Sequence, residues 1–130
     1  MTTLFEMAKN WLNQDPDAET HAELTALLSA AKSGDAKAEA ELAARFDGRL
    51  QFGTAGLRGR LQAGSMGMNR VLVAQAAGGL AEYLKGYDKQ PSIVIGYDGR
   101  KNSDVFARDT AEIMAGADLI GQVGVHLAGV

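Results

Sequence analysis

The chain has no cysteine and only two histidines, His21 and His126, among its 130 residues. Disulfides, thiolate catalysis and Cys-based zinc sites are therefore excluded, as is a multi-histidine metal site within the chain, and the absence of thiols fits a reducing compartment. Proline occurs twice, as Pro16 and Pro91, so little interrupts regular structure. Long apolar runs are missing too. Val71 to Ala74 is stopped by Gln75, far short of the roughly 18 residues that a membrane span needs. The first ten residues carry Glu6 and no apolar run behind a basic start, so they do not form a secretion signal. Nor is there an excess of positive charge: thirteen Lys and Arg against sixteen Asp and Glu leave −3, with no general pull toward nucleic acid or an anionic membrane. A cytoplasmic protein with neither nucleic acid nor membrane as partner is the expectation. With 46% apolar residues, it has a core large enough for one small domain.

The distribution of charge says more than its sum. Residues 1–47 are acidic, whereas residues 48–70 hold four arginines (Arg49, Arg58, Arg60, Arg70) and no acid. The same segment contains Gly48, Gly53, Gly56, Gly59, Gly64 and Gly67. Arginine supplies a fixed forked charge, and glycine lets backbone amides approach an anion closely; a phosphate cradle needs both.

Residues 1–47 read as a helical arm. Asp15 followed by Pro16 suits an N-cap and first helical position, with Leu24, Leu27, Leu28 and Ala31 as one apolar stripe. Ser33, Gly34 and Asp35 end that helix and start another, whose stripe is Ala38, Leu42 and Phe46 before Asp47 and Gly48 break it. Trp11, the single tryptophan, reads as a packing anchor.

From residue 48 to 130 strands and helices alternate, the rhythm of an α/β layer domain. Leu50 to Thr54 is a predicted strand, with turns and a hairpin continuing through Leu61. Asn69 caps a predicted helix with Leu72, Ala76, Leu80, Tyr83 and Leu84 buried, ended by Gly86. Ser92 to Gly96 is a buried strand leading into a Tyr97-Asp98-Gly99-Arg100 turn. Asn102 or Ser103 caps a helix with Phe106, Thr110, Ile113 and Met114 on one face, and Val123 to Leu127 is a last strand. Phe52, Ile93, Val94, Ile95 and Ile113 are expected to form the central packing, with one side of the sheet left uncovered.

Two motifs carry chemistry. Phe52-Gly53-Thr54-Ala55-Gly56-Leu57-Arg58-Gly59 sets three glycines at intervals of three beside a hydroxyl and an arginine, an arrangement able to present amides and a guanidinium to one phosphate. As a pattern alone it equally describes a glycine-rich turn with an exposed arginine. It is not a P-loop, because no Gly-Lys-Ser or Gly-Lys-Thr occurs, and nucleotide triphosphate hydrolysis is disfavoured. The second motif, Gly96-Tyr97-Asp98-Gly99-Arg100-Lys101-Asn102-Ser103, lies where a strand hands over to a helix, the place where open α/β sheets bind ligands. A tight Asp-Gly turn with a helix cap accounts for it as well. The candidate phosphate-binding residues are Gly53, Thr54, Gly56, Arg58, Gly59, Asp98 and Arg100.

These motifs, with Met68-Asn69 before a helix and the Trp11-Leu12 and Asp15-Pro16 lead, resemble the phosphoglucomutase and phosphomannomutase superfamily, the α-D-phosphohexomutases, and within it the phosphopentomutase-like branch. The resemblance covers roughly residues 10 to 117. It implies an incomplete first domain, a mixed sheet with packed helices, of a four-domain cytoplasmic isomerase of carbohydrate metabolism. In that family a phosphoserine donates its phosphoryl group to a sugar monophosphate, the bisphosphorylated sugar returns the other phosphate, and Mg²⁺ neutralises the group in transfer. A sugar phosphate is the implied ligand and a sugar bisphosphate the implied activator. Arg58 matches the family's arginine near the phosphoserine, a role of charge stabilisation. No Ser-His dipeptide of the phosphoserine segment occurs in the sequence, so no catalytic residue is assigned, and the family's metal, sugar and distal phosphate loops would lie beyond Val130. Ala117 to Val130 matches the expected strand only loosely. An inactive amino-terminal fragment with its remaining domains missing is the expectation; a stand-alone phosphate-binding or protein-interaction module is the alternative.

Overall fold

A computed structural model describes residues 3–54, 56–87, 89, 91–117 and, by backbone alone, 120–128. The elements in chain order are α1 (Leu4–Gln14), α2 (Ala18–Lys32), α3 (Ala36–Arg45), α4 (Arg70–Tyr87), β1 (Ser92–Asp98), α5 (Ser103–Gly116) and β2 (Ile120–Ala128). They fall into two compact units, Met1–Leu72 and Val73–Val130. The division after Asp47 suggested by composition lies inside the first unit.

Local chemistry sets the helix ends of the first unit. Thr3 and Glu6 form a reciprocal capping box on α1, the Glu6 amide donating to Thr3 Oγ1 and the Thr3 amide to Glu6 Oε2. The cap of α2 is Asp17, whose carboxylate accepts from the Glu19 amide at 2.9 Å. The expected cap, Asp15, stands two residues earlier, where the following proline holds it extended. Its carboxylate buttresses the turn by accepting from the Asp17 amide (3.0 Å) and the Thr20 hydroxyl (2.6 Å). Asp35 caps α3 at the Lys37 and Ala38 amides after Gly34 has reversed the chain at φ 96°.

The apolar stripes of the three helices converge on one core. Leu24, Leu28, Ala31, Ala38, Leu42 and Phe46 are buried with Ala8 and Trp11, and Leu27 packs against them from a partly buried position. Trp11 meets Phe46 edge to face, with ring centroids 6.0 Å apart. Ala63 and Val71 belong to the same cluster. The helical arm and the far end of the glycine-rich segment thus share one hydrophobic core, and the arm is no mere appendage.

Among the described residues of 48–69 there is no regular strand. The strand expected at Leu50–Thr54 is absent, and only two isolated bridges occur there, Gly53 with Gly56 and Leu61 with Met68. Phe52 is 70% exposed, outside the central packing expected of it. Glycine takes the place of strand formers because backbone approaches closely here. A Cβ on Gly64 would stand 2.6 Å from the Arg45 carbonyl oxygen, and the residue sits at φ +105°.

In the second unit, β1 and β2 pair in parallel through the α5 crossover, with Ser92 opposite Ile120 and an irregularity between Ile95 and Tyr97. The last strand expected at Val123–Leu127 lies within β2. These two described strands are parallel, and the antiparallel pairing of a mixed sheet is not among the described residues. The core of the unit is Ala77, Ala81, Ile95 and Met114, with Ile93, Ile113 and Leu84 packed against it. Val94, expected inside, is 78% exposed because it points to the opposite face of β1 from Ile95. Helix α4 buries part of the expected face, Leu72 at 1% exposure and Leu84 partly, but not all of it. Small Ala77 and Ala81 turn inward, while Leu80 and Tyr83 are exposed and Tyr83 stacks on Tyr87 at 6.2 Å. Two alanines let the helix backbone approach Ile95 and Met114 more closely than Leu80 and Tyr83 would.

Candidate functional site

Gly53, Thr54, Gly56, Arg58 and Gly59 lie in the first unit, Asp98 and Arg100 in the second. Ala55 lies outside the described residues. Gly53 and Gly56 close a tight turn on each other: the Gly53 amide donates to the Gly56 carbonyl at 2.9 Å and the Gly56 amide returns the bond at 3.2 Å. Gly56 adopts φ +93°, which a side chain would strain. Both amides are consumed in the turn, so neither cradles an anion. Thr54 is exposed at its tip.

The groups that remain available follow the turn. The amides of Leu57, Arg58 and Gly59 make no hydrogen bond among the described residues, and the side chains of Arg49, Arg58 and Arg60 are exposed without a carboxylate partner there. Gly59 packs on Leu50, whose Cδ2 would lie 2.8 Å from an added Cβ. The segment is tied down behind Arg60, where the Met68 amide donates to the Arg60 carbonyl at 2.7 Å and the Gln62 amide to Met68 at 3.3 Å.

Two residues outside the motif hold that return leg. Asn69 is 2% exposed, and its Nδ2 donates to the carbonyls of Gln62 (2.8 Å), Gly64 (2.8 Å) and Gly67 (3.2 Å), while its Oδ1 accepts from the Leu72 amide at 2.9 Å. The cap expected at Asn69 is therefore present, and three loop carbonyls are gathered on the same side chain. Arg45 at the end of α3 donates to Glu23 of α2, to Glu41 at 2.8 Å and to the Ala63 carbonyl at 3.3 Å, while its own carbonyl accepts from the Met66 amide at 3.1 Å. Burial opposes its charge, and the two glutamates more than offset that, holding Arg45 above its ordinary pKa. Sequence reasoning missed Arg45; the Glu41 to Arg45 spacing of four was the one signal present.

Arg100 is in a different condition from Arg58. Its guanidinium binds Asp98 Oδ2 through Nε (2.7 Å) and Nη2 (2.6 Å), and its amide donates to Oδ1 at 3.0 Å. The Ser103 hydroxyl accepts from the Asp98 amide at 3.1 Å, and Asn102 at φ 67° starts α5 without a side-chain cap. The Arg100 side chain and amide lower the Asp98 pKa to about 2 against opposing desolvation. Since the folded value lies below the ordinary 3.8, the pair's contribution to stability is complete above pH 4 and falls away as pH drops toward 2. A carboxyl chemical-shift titration is expected to place the Asp98 midpoint near 2, and Arg100→Ala to return it to the ordinary range. An unchanged midpoint in the variant would assign the shift elsewhere.

Residues 49–124 match the family described as phosphoglucomutase/phosphomannomutase, alpha/beta/alpha domain I. The chain belongs to this family. Among its curated relatives, a probable phosphomannomutase of Haemophilus influenzae is 96% identical over 52 residues, 40% of this chain and 11% of that protein. A phosphoribomutase of Saccharomyces cerevisiae is 45% identical over 102 residues, 78% of this chain and 15% of its own length. A phosphoglucomutase of Staphylococcus aureus is 39% identical over 75 residues, 58% of this chain and 14% of its own. The chain thus spans between 11% and 15% of the length of these relatives. No solved structure matches it.

Among the described residues no three His, Asp or Glu side chains gather to hold a cation, and Asp98 is engaged by Arg100. Among the described residues no helix is long and apolar enough to cross a membrane.

Proposed function

We propose that this chain supplies part of a phospho-sugar mutase, and that its Thr54 to Arg60 segment binds the phosphate of a sugar phosphate. The observation carrying this reading is the guanidinium of Arg58 beside the amides of Leu57 to Gly59, none of which has a partner among the described residues, set in a stretch without one acid. The three relatives are named for different sugars, mannose, ribose and glucose, and the group those substrates share is the phosphate. Arg58 then acts as a planar fixed cation for phosphate oxygens, and the amides and the Thr54 hydroxyl donate to the rest. Its part in catalysis is electrostatic, because guanidinium holds its proton at any working pH. Asp98 and Arg100, already satisfied by each other, shape the start of α5. Phosphoryl donation belongs to a serine segment that the sequence does not contain, with Mg²⁺ and a sugar bisphosphate activator serving the whole enzyme. The chain alone binds without turning over.

Titrating glucose 1-phosphate into isotopically labelled protein is expected to move the Thr54 and Leu57 to Arg60 amides with millimolar affinity, on the order of −4 kcal/mol. Arg58→Lys weakens binding several-fold despite keeping the charge, since lysine lacks the fork. Added salt weakens both. Largest shifts at Gly99 to Lys101, with residues 57–60 unmoved, would overturn the assignment. A coupled mutase assay with Mg²⁺ and bisphosphate activator is expected to show no turnover; turnover abolished by Arg58→Ala would show that the chain is itself active.

A further inference from the structure

The segment carrying Arg58 has little structure of its own. From Leu57 to Arg60 there is neither helix nor strand, and the first backbone tie behind Arg58 is the Met68 amide on the Arg60 carbonyl. What fixes Met68 therefore helps to fix Arg58, beside the packing of Gly59 on Leu50. The return leg from Ala63 to Met66 is bound to Arg45 from two directions: the guanidinium reaches the Ala63 carbonyl, and the Arg45 carbonyl takes the Met66 amide. Gly64 lies so close to that carbonyl that no side chain fits. The Arg45 side chain is only 12% exposed, and it is held in this one orientation by Glu23 from α2 and Glu41 from α3. A mostly covered guanidinium with three acceptors has few alternative rotamers, so the two helices fix the return leg through it.

We infer that Arg45, clamped by Glu23 and Glu41, is a positioning residue for the phosphate-binding segment, which makes the helical arm part of the binding device. The inference rests on the reading of Thr54 to Arg60 as the phosphate site. Arg45 touches no ligand; it acts by reducing the number of conformations the return leg samples, and so the reorganisation that binding requires.

Glu23 offers the sharper test, because charge and position act in opposite directions there. Neutralising a carboxylate removes a negative charge from the unit, and long-range electrostatics alone would make an anion bind more tightly. Loss of positioning makes it bind more weakly. The 130-residue chain is titrated with inorganic phosphate as wild type, Glu23→Gln, Glu23→Ala and Arg45→Met, and hydrogen exchange is followed at the Met66 and Met68 amides. The expected order of affinity is wild type, then Glu23→Gln, which keeps an acceptor oxygen, then Glu23→Ala at about threefold weaker, with exchange at both amides faster by about tenfold in Glu23→Ala. Arg45→Met is expected to lose more of both, and the Glu23 pair decides the matter if that variant fails to fold. Affinity equal to or tighter than wild type in Glu23→Ala overturns the inference, whatever the exchange shows. So does weaker binding with unchanged exchange, which would place the effect outside the return leg. If the wild type binds no phosphate, the functional reading fails, and exchange alone judges the clamp: faster exchange at Met66 and Met68 upholds it and unchanged exchange sinks it.

Discussion

Asn69→Asp is expected to destabilise the first unit about as much as Asn69→Ala, by about 3 kcal/mol. As a helix N-cap, aspartate ranks with asparagine, and the Oδ1 bond to the Leu72 amide survives the change. The other half of the side chain does not. Nδ2 donates to the carbonyls of Gln62, Gly64 and Gly67, and a carboxylate would place an oxygen against three oxygens in a site that is 2% exposed. Alanine leaves the same carbonyls without a donor and also loses the cap. Each buried acceptor left unsatisfied costs about 1–3 kcal/mol, so the loop terms outweigh the cap. Urea unfolding followed by Trp11 fluorescence measures this directly, since Trp11 is the only tryptophan and shares a cluster with Ala63 and Val71 on either side of the loop. Near wild-type stability in Asn69→Asp, with a loss in Asn69→Ala, would show that the cap alone matters and that the loop carbonyls are satisfied by water.

Asn69 also marks where the sequence stops being legible. Its role as a cap follows from its neighbours in the chain, whereas its role as a donor to three carbonyls depends on a loop path that local spacing does not encode. The same division runs through the first unit. The stripes of α2 and α3 and the caps at their starts are local and readable, and even the displacement from Asp15 to Asp17 is a choice between two adjacent aspartates around Pro16. The glycines are not readable in this way. Gly53 and Gly56 close a turn, while Gly59 and Gly64 admit Leu50 and Arg45, yet all four look alike in a glycine-rich stretch. In the site, the difference between Arg58 and Arg100 was present in the sequence as an aspartate two residues before one and no acid near the other. In α4 helical spacing places Leu72 and Leu84 correctly, whereas close approach selects Ala77 and Ala81 over Leu80 and Tyr83.

Trp11→Ala is expected to cost about 3–5 kcal/mol, and Trp11→Phe no more than about 1.5 kcal/mol. Trp11 is 4% exposed, sits edge to face on Phe46 and occupies a core built by three helices. Removing the indole empties the largest volume any single side chain there fills, and the alanines of the same cluster, Ala8, Ala31, Ala38 and Ala63, have no length with which to close the gap. Phenylalanine keeps the aromatic contact. What it loses is part of the ring and an Nε1 donor that has no hydrogen-bond partner among the described residues. A buried donor without a partner is itself unfavourable, so deleting it offsets some of the lost packing. Unfolding by urea, monitored by far-ultraviolet circular dichroism because the substitution removes the fluorophore, gives both values. A Trp11→Phe loss as large as that of Trp11→Ala would mean that Nε1 is satisfied in solution, by a buried water. Trp11→Ala is expected to weaken phosphate binding as well, since the core that seats Ala63 also seats the return leg behind Arg58.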